Sequence, residues 1–243
     1  MNKALIVGGA NGIGLSIANC LAEREDIKNI YIVDRAPMDP LYENNKFESF
    51  IFNLENSDFS FFDKFQDIDT LIITAGFGKL SLFEDLDEPY IISSFNVNAI
   101  APIRLIKYFY KKLLNTQPFH CAIMVSIAGF MSSPFFSVYG ATKAALKIFI
   151  ESVNVELEKA GSHNRILNVS PGSIKGTAFN KGKNDLKQTR PLALQIINQM
   201  ENHKDLYIPQ YEEIFRHVLD RYHKDFRAEG IHSYEYKISS GRL

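Results

Sequence analysis

Residues 4–14 read Ala4-Leu5-Ile6-Val7-Gly8-Gly9-Ala10-Asn11-Gly12-Ile13-Gly14. The short apolar run from Ala4 to Val7, closed by glycines, is what a buried strand looks like in sequence. Behind it, Ile13, Ile17, Cys20 and Leu21 fall at helical spacing within Ile13 to Arg24, so Gly8, Gly12 and Gly14 stand in a strand-to-helix turn. Each glycine has a use there. Gly8 can make the turn, Gly12 can let the backbone approach a pyrophosphate, and Gly14 can pack the helix on the strand, which leaves a phosphate at the helix N-terminus. Glycine-rich turns also occur in α/β proteins that hold no ligand, so the rest of the chain must carry the reading.

Outward from this turn the same alternation repeats. Apolar runs at Ile30 to Val33, Phe50 to Phe52, Thr70 to Thr74, Ala122 to Val125 and Ile166 to Val169 are separated by helix-length segments, the longest at Asn98 to Leu114 and Ala141 to Lys159. Strands spaced by helices imply βαβ units and a doubly wound, mostly parallel α/β sheet with helices on both faces. No repeat or linker divides the 243 residues, a length at which one α/β domain is the expectation. The stretch from about 175 to 207, with Lys175, Lys181, Lys183, Lys187 and Arg190 among Gly and Asn, reads as a loop or mobile substrate lid. Residues 208–243 read as a C-terminal helix and tail. Tyr211, Ile214, Phe215, Val218, Leu219, Tyr222 and Phe226 recur at three- and four-residue steps as a core stripe, Gly230 is a stop, and Tyr234 to Ile238 is a candidate last strand.

Composition excludes several classes of function. A hydrophobic fraction of 46% with 23% charged residues is that of a soluble globular protein, and a formal net charge of −1 gives no field for nucleic acid or anionic membrane. No apolar run reaches a membrane span, and the strand pattern beginning at Lys3 leaves no room for a signal peptide, so a cytoplasmic protein is expected. Cys20 and Cys121 read as reduced core thiols, and the six histidines show no ligand spacing, so no metal site is expected.

Asp34 closes the second strand pattern twenty residues after Gly14, where a carboxylate accepts hydrogen bonds from the hydroxyls of an adenosine ribose. A 2′-phosphate would meet its like charge, partly offset by Arg35, which favours NAD over NADP. Tyr-x-x-x-Lys, which places two side chains one helical turn apart, occurs three times, at Tyr42/Lys46, Tyr108/Lys112 and Tyr139/Lys143. Only Tyr139 has a serine thirteen residues upstream, Ser126 at the end of a strand pattern; Asn29 and Phe95 occupy that place for the others. A tyrosine hydroxyl near pKa ~10 needs a neighbouring positive charge to work as a base at neutral pH, and Lys143 can supply it.

Gly8/Gly12/Gly14, Thr74-Ala75-Gly76, Asn98, Ser126, Tyr139-Gly140-Ala141-Thr142-Lys143 and Pro171-Gly172, in this order and spacing, resemble the short-chain dehydrogenase/reductase family over roughly residues 3 to 177. The resemblance implies a Rossmann fold and an NAD(H)-dependent oxidoreductase acting on a small hydroxy or keto substrate. It implies Tyr139 as general acid/base, Ser126 as holder of the substrate oxygen, Lys143 as assistant to the tyrosine and the nicotinamide ribose, and Asn98 as keeper of a proton-relay water. The cofactor-binding residues it implies are Gly8, Asn11, Gly12, Ile13, Gly14, Asp34, Arg35, Asn53, Leu54, Ala75, Gly76, Tyr139, Lys143, Pro171, Gly172 and Ile174. It also implies a homodimer or homotetramer through the helices at Asn98 to Leu114 and Ala141 to Lys159.

The chain departs from the family's pattern in places. Val7 replaces a threonine, Ile73-Thr74 replaces paired asparagines, Asn53 stands for an aspartate that receives the adenine amino group, and the threonine after Pro171-Gly172 arrives one residue late as Thr177. Two other readings share the fold. A non-catalytic NAD(H)-binding sensor would show a damaged catalytic set, yet all four positions are intact. A sugar-nucleotide epimerase or dehydratase would carry a larger substrate domain than residues 178–243 provide. The five basic residues from Lys175 to Arg190, with Phe130, Met131, Phe135, Phe136 and Phe179 as an apolar lining, suggest an anionic substrate with an apolar body.

Overall fold

The computed structural model describes residues 1–55, 58–177, 179 and 184–241. Its seven strands are β1 (Lys3–Val7), β2 (Asn29–Asp34), β3 (Phe47–Ile51), β4 (Thr70–Ile73), β5 (His120–Met124), β6 (Ile166–Val169) and β7 (Leu206–Tyr207). They form one parallel sheet in the order β3-β2-β1-β4-β5-β6-β7. The chain winds outward from β1 to β3 and then returns to the other side of β1 with β4. This reversal opens a crevice beyond the carboxyl ends of β1 and β4, the place where open α/β sheets bind ligands.

Alternation along β1 shows how the sheet is covered. Leu5 and Val7 face a core with Leu71 and Ile73 that is closed by α3 (Ala101–Leu114) and α4 (Ser137–Lys159) through Leu105, Phe109, Leu146 and Ile150. Ala4 and Ile6 face the opposite core, closed by α1 (Gly12–Ala22) and α5 (Leu186–Glu201) through Ile17, Leu21, Ile196 and Met200. Both faces are apolar, as strands buried on two sides require.

Four regions differ from the sequence reading. The helix read at Asn98 to Leu114 is present but starts earlier: α2 (Glu88–Phe95) passes through a π-helical turn, Asn96–Ile100, into α3. Within the stretch read as a lid, Asp185 caps α5 by accepting from the Lys187 and Gln188 amides, and α5 is a core helix. The C-terminal stripe is broken into a π turn, Tyr211–Phe215, and α6 (Arg216–Lys224). It is not core either, since only Leu219 is fully buried and Phe226 is 58% exposed. Finally, Tyr234 to Ile238 is no strand, and Gly230 is no stop. Both lie inside α7 (Phe226–Ser239), whose first turn is capped by Asp225 through the Arg227 and Ala228 amides.

At the amino ends of the strands, opposite the crevice, His120 opens β5 and stacks on His203 with ring centroids 5.5 Å apart. Burial lowers the pKa of both imidazoles.

Candidate active site

The glycine turn is built almost wholly from backbone. Gly8, with φ +90°, donates its N–H to Val33 O at 2.7 Å. A Cβ on Gly14 would lie 2.3 Å from Gly8 O, which only a glycine permits. Thr74, one of the departures noted above, stitches this turn to the loop after β4: its hydroxyl donates to Gly8 O at 2.9 Å, and the Thr74 and Ala75 amides donate to Val7 O. Asn11 precedes α1 without a side-chain cap, so the first turn of that helix presents its N–H groups to the crevice. One is already engaged, Gly12 N–H donating to Asn184 Oδ1 at 2.8 Å. Ile13 is buried in the core on the α1 face. The late threonine, Thr177, is buried and approaches the place of a Gly12 side chain at 3.8 Å, so it meets the glycine turn.

Asp34 accepts from the Ala10 amide at 3.1 Å and from the Ala36 amide at 3.3 Å, tying the end of β2 to the same turn. Beside it is a cleft of about 610 Å³ lined by Ala10, Asp34, Met38, Glu43, Asn45 and Phe50, among others. Glu43 is a second carboxylate at this cleft that no sequence pattern announced. Arg35 is exposed. Asn53 Oδ1 accepts from the Glu55 amide at 3.1 Å in a local turn, while the Leu54 side chain is part of the core.

The other end of the crevice is made of side chains. Asn98 lies in the π turn between α2 and α3, a local widening common at functional sites. Its amide is fully employed: Oδ1 accepts from Phe77 N at 2.9 Å, and Nδ2 donates to Phe77 O at 2.8 Å and Thr142 Oγ1 at 3.3 Å. Ser126, 8% exposed, caps a short 3-10 turn by accepting from the Ala128 amide; its hydroxyl donates to Pro171 O at 3.5 Å and is close enough to Tyr139 to pull that hydroxyl's pKa down. Tyr139 and Lys143 follow in the first turns of α4. Lys143 is buried, donates to Met124 O at 2.8 Å, and stands 5.6 Å from the Tyr139 ring centroid. The loop after β4 presses on the group: a Cβ on Gly76 would lie 3.1 Å from Asn98 Oδ1 and 3.3 Å from Lys143 Nζ, and one on Gly78 would lie 2.9 Å from the Tyr139 ring.

The electrostatics differ from the expectation that the lysine lowers the tyrosine. Burial pushes Tyr139 up to about 12, with the Ser126 hydrogen bond pulling the other way and Tyr90 adding to the rise. Burial pushes Lys143 down to about 7. Desolvation outweighs the attraction because both groups are enclosed by protein and the ammonium is directed at a carbonyl. At neutral pH the Tyr139 hydroxyl therefore carries its proton.

Pro171 and Gly172 complete this end. Pro171 O accepts from the Ile127 amide at 3.0 Å, and Phe215 covers Gly172, its ring 2.5 Å from where a Cβ would stand. The sequence offered no sign of Phe215 here, since it belongs to a stripe read as core. Ile174 packs toward the α1 face, and its carbonyl accepts from Thr177. Of the five residues expected as an apolar lining, two flank Tyr139: Phe136 at 5.2 Å and Phe179 at 5.4 Å between centroids. Phe130 and Met131 instead pack with Ile127, Ile208 and Leu219, and Phe135 is buried under Tyr234. The basic stretch is also less available than its composition suggests. Arg190 makes a two-armed bridge to Glu23 at 2.6 Å, Lys175 and Lys187 are exposed, and Lys181 and Lys183 lie outside the described residues.

Comparison with known proteins gives the family. The family model described as short chain dehydrogenase matches residues 2–188. An uncharacterised short-chain type dehydrogenase/reductase of Sinorhizobium fredii is 29% identical over 180 residues, 72% of this chain and 71% of that protein. Human 17-beta-hydroxysteroid dehydrogenase type 1 is 31% identical over 104 residues, 43% of this chain and 32% of that protein, so the match spans about a third of that relative. Among solved structures, a short chain dehydrogenase/reductase from Burkholderia phymatum in complex with NAD superposes with a TM-score of 0.76 at 15% identity, covering 94% of this chain and 95% of that one. Other solved neighbours of this fold hold NADP.

Proposed function

The chain belongs to the short-chain dehydrogenase/reductase family, and from that premise we propose that it reduces and oxidises an apolar keto/hydroxy substrate with NAD(H), using Tyr139 as its general acid/base. The oxidoreductase class follows from the family. The observation that supports the particular site is the Ser126–Tyr139 hydroxyl pair beside buried Lys143, at the crevice that the glycine turn also faces.

The residues present fit a dinucleotide. The uncapped start of α1, with the Gly12 and Ile13 amides, suits a pyrophosphate, and a phosphate oxygen there takes over the acceptor role that Asn184 fills at Gly12. Asp34 and Glu43 share the adjoining cleft, and their two carboxylates suit ribose hydroxyls while repelling a 2′-phosphate, which supports NAD over NADP. A bound nicotinamide supplies or accepts the hydride. Ser126 and Tyr139 both donate hydrogen bonds to the substrate oxygen. In the direction of reduction the Tyr139 proton passes from Oη to that oxygen, and the high pKa of Tyr139 keeps the proton available at neutral pH. Lys143, buried against Met124 O, stabilises the phenolate that results. Gly78 allows the loop after β4 to close on the tyrosine ring.

Phe136 and Phe179 beside Tyr139, with Phe77 packed on Tyr90, favour a substrate with an apolar body, in keeping with the steroid alcohol named for the human relative. An anionic group on it would rest on Lys175 and Lys187 alone among the described residues of the basic stretch, since Arg190 is bound to Glu23. We place the protein in the cytoplasm as a homodimer or homotetramer. Two buried free thiols, Cys20 and Cys121, suit a reducing compartment. Ile148 and Val155 form an apolar strip on the outer face of α4, 56% and 60% exposed, that a second copy would cover. The test is NADH oxidation against a panel of aromatic, aliphatic and carboxylated ketones. Turnover of the apolar members at low and high salt is expected, and activity confined to carboxylated ones would overturn the apolar assignment. Light scattering returning only a 27.6 kDa species would overturn the oligomer.

A further inference from the structure

Ser126 and Tyr139 are separated by a short 3-10 turn, Ile127–Gly129, and then by residues 130–136, which have no regular structure before α4 begins at Ser137. Tyr139 sits in the first turn of α4, so its position depends on how the chain enters the helix. That entry lacks the usual device. The residue before α4 is Phe136, with no capping side chain, and the local bonds are those of Phe136 N to Ser133 O at 2.9 Å and Gly140 N to Phe136 O at 2.7 Å. The entry is also strained, because Phe135 has φ +67°, a left-handed conformation that a bulky side chain adopts only when its surroundings enforce it.

The enforcing contacts come from α7, about a hundred residues further along the chain. Lys237 is 7% exposed on a helix whose neighbouring Tyr236 and Ile238 are each 52% exposed. Its ammonium donates to Pro134 O at 2.7 Å and to Ser133 Oγ at 2.8 Å, and it stands 5.7 Å from the Phe136 ring centroid. Tyr234, one turn earlier, stacks on Phe135 at 4.6 Å with 26° between the planes. At the start of α7, Ser132 Oγ donates to Phe226 O at 3.4 Å. The buried carboxylate of Glu229 is held by Arg221, which locks α7 to α6. A lysine is rarely this buried, and its two charge-assisted bonds to one short strap are the feature that calls for a role.

We propose that Lys237 is a positioning residue for the Tyr139 site: it pins residues 133 and 134, holds Phe135 in its strained turn with Tyr234, and thereby sets Phe136 against the Tyr139 ring. On this reading α7 governs the substrate-side wall and the aim of the acid/base without touching substrate. The inference rests on Tyr139 being that acid/base, but its structural half stands apart from it.

The test uses the full chain with Lys237→Met, which keeps the stem and removes the ammonium, and Lys237→Arg, which keeps the charge. Hydrogen exchange at the Phe136 and Gly140 amides reads the strap directly. Lys237→Met is expected to speed exchange there at least tenfold with NADH affinity within twofold of the parent. It is also expected to lower kcat/KM at least tenfold for a ketone that the parent reduces, and Lys237→Arg should recover most of both. Unchanged exchange, or faster exchange with kcat/KM intact, overturns the inference. Should Lys237→Met not fold, Tyr234→Ala, which removes the stack and keeps the lysine, carries the same expectations for the same two amides. Tyr139→Phe separates the two claims: active Tyr139→Phe defeats the acid/base assignment, while the exchange data still decide whether α7 holds the strap.

Discussion

The two ends of the crevice are built by opposite means. At the glycine turn, residues 7–14 are shaped by main-chain bonds to Val33, Thr74 and Ala75, and the decisive side chains are ones that are missing. At the Tyr139 end, Asn98, Ser126, Tyr139 and Lys143 are side chains brought from separate elements and enclosed by Gly78, Phe136, Phe179 and Phe215. The first end should tolerate exchange of polar side chains and reject an added Cβ. The second should tolerate little exchange of function-bearing atoms while keeping its shape.

The sharpest way to break this contrast is Tyr139→Phe. It deletes one oxygen and leaves the ring against Phe136 and Phe179, so turnover should fall by about 10²–10⁴-fold with NADH titration and melting temperature unaltered. Near-parental turnover would show that shape, not the hydroxyl, matters there. Next comes Gly14→Ala, whose Cβ meets the backbone of Gly8 at 2.3 Å with no flexible end to yield. A stability loss of about 1–3 kcal/mol in denaturant melts, together with lost NADH binding, is expected. Retained binding would mean the turn is more pliable than its bonds imply. A smaller effect is expected for Asp34→Ala, which removes the acceptor of the Ala10 amide but leaves the bonds of the glycine turn to Val33, Thr74 and Ala75 in place. NADH affinity should drop about tenfold, near 1.4 kcal/mol, while NADPH affinity changes less. A parent that prefers NADPH would contradict the role given to the two carboxylates.

The smallest effect belongs to the amino ends of the strands and serves as a control. His120 and His203 have folded pKa values below 6.5, so the unfolded chain binds more protons as pH falls through and below that value. Their contribution to stability is therefore present above pH 6.5 and lost on acidification. Thermal melts should drop modestly between pH 7.5 and 5.5, and the drop should shrink in His203→Asn, which also suits the left-handed φ of +50° at that position. An identical pH response in this variant would exclude the pair as its source.

What was legible in the sequence follows the same division. Strands β1, β2, β4, β5 and β6 and the glycine turn announce themselves because their signals are contiguous, whereas β3, mostly exposed at Phe47–Ile51, starts three residues before the apolar run Phe50 to Phe52. Tyr139 was separated from two decoys by a single spacing to Ser126. Glu43, Asn184, Phe215 and Lys237 carry no local pattern, because each acts on residues distant in sequence and only the fold brings them there. Two misreadings had visible competitors. Tyr234, Tyr236 and Ile238 alternate like a strand, but Asp225 caps a helix that includes them. Lysines and glycine suggested a lid where Ala193, Ile196, Ile197 and Met200 already had the spacing of a buried helix face.

The position of β1 between β2 and β4 has a consequence for the newborn chain. Translation delivers Gly8 to Gly14 before β4 and α5, so Val7 O and Gly8 O wait for Thr74 and Ala75, and α1 waits for α5, which ends at Glu201, to pack beside it. The turn is thus made before the segments that complete it and is among the last parts finished, because parallel pairing must close long loops before it is rewarded. A dinucleotide has little to grip on a ribosome-bound fragment that stops short of β4. Once the sheet is whole, every bound molecule draws the equilibrium toward the assembled state by mass action, so the cell's supply of nicotinamide dinucleotide also acts as a folding partner of this chain.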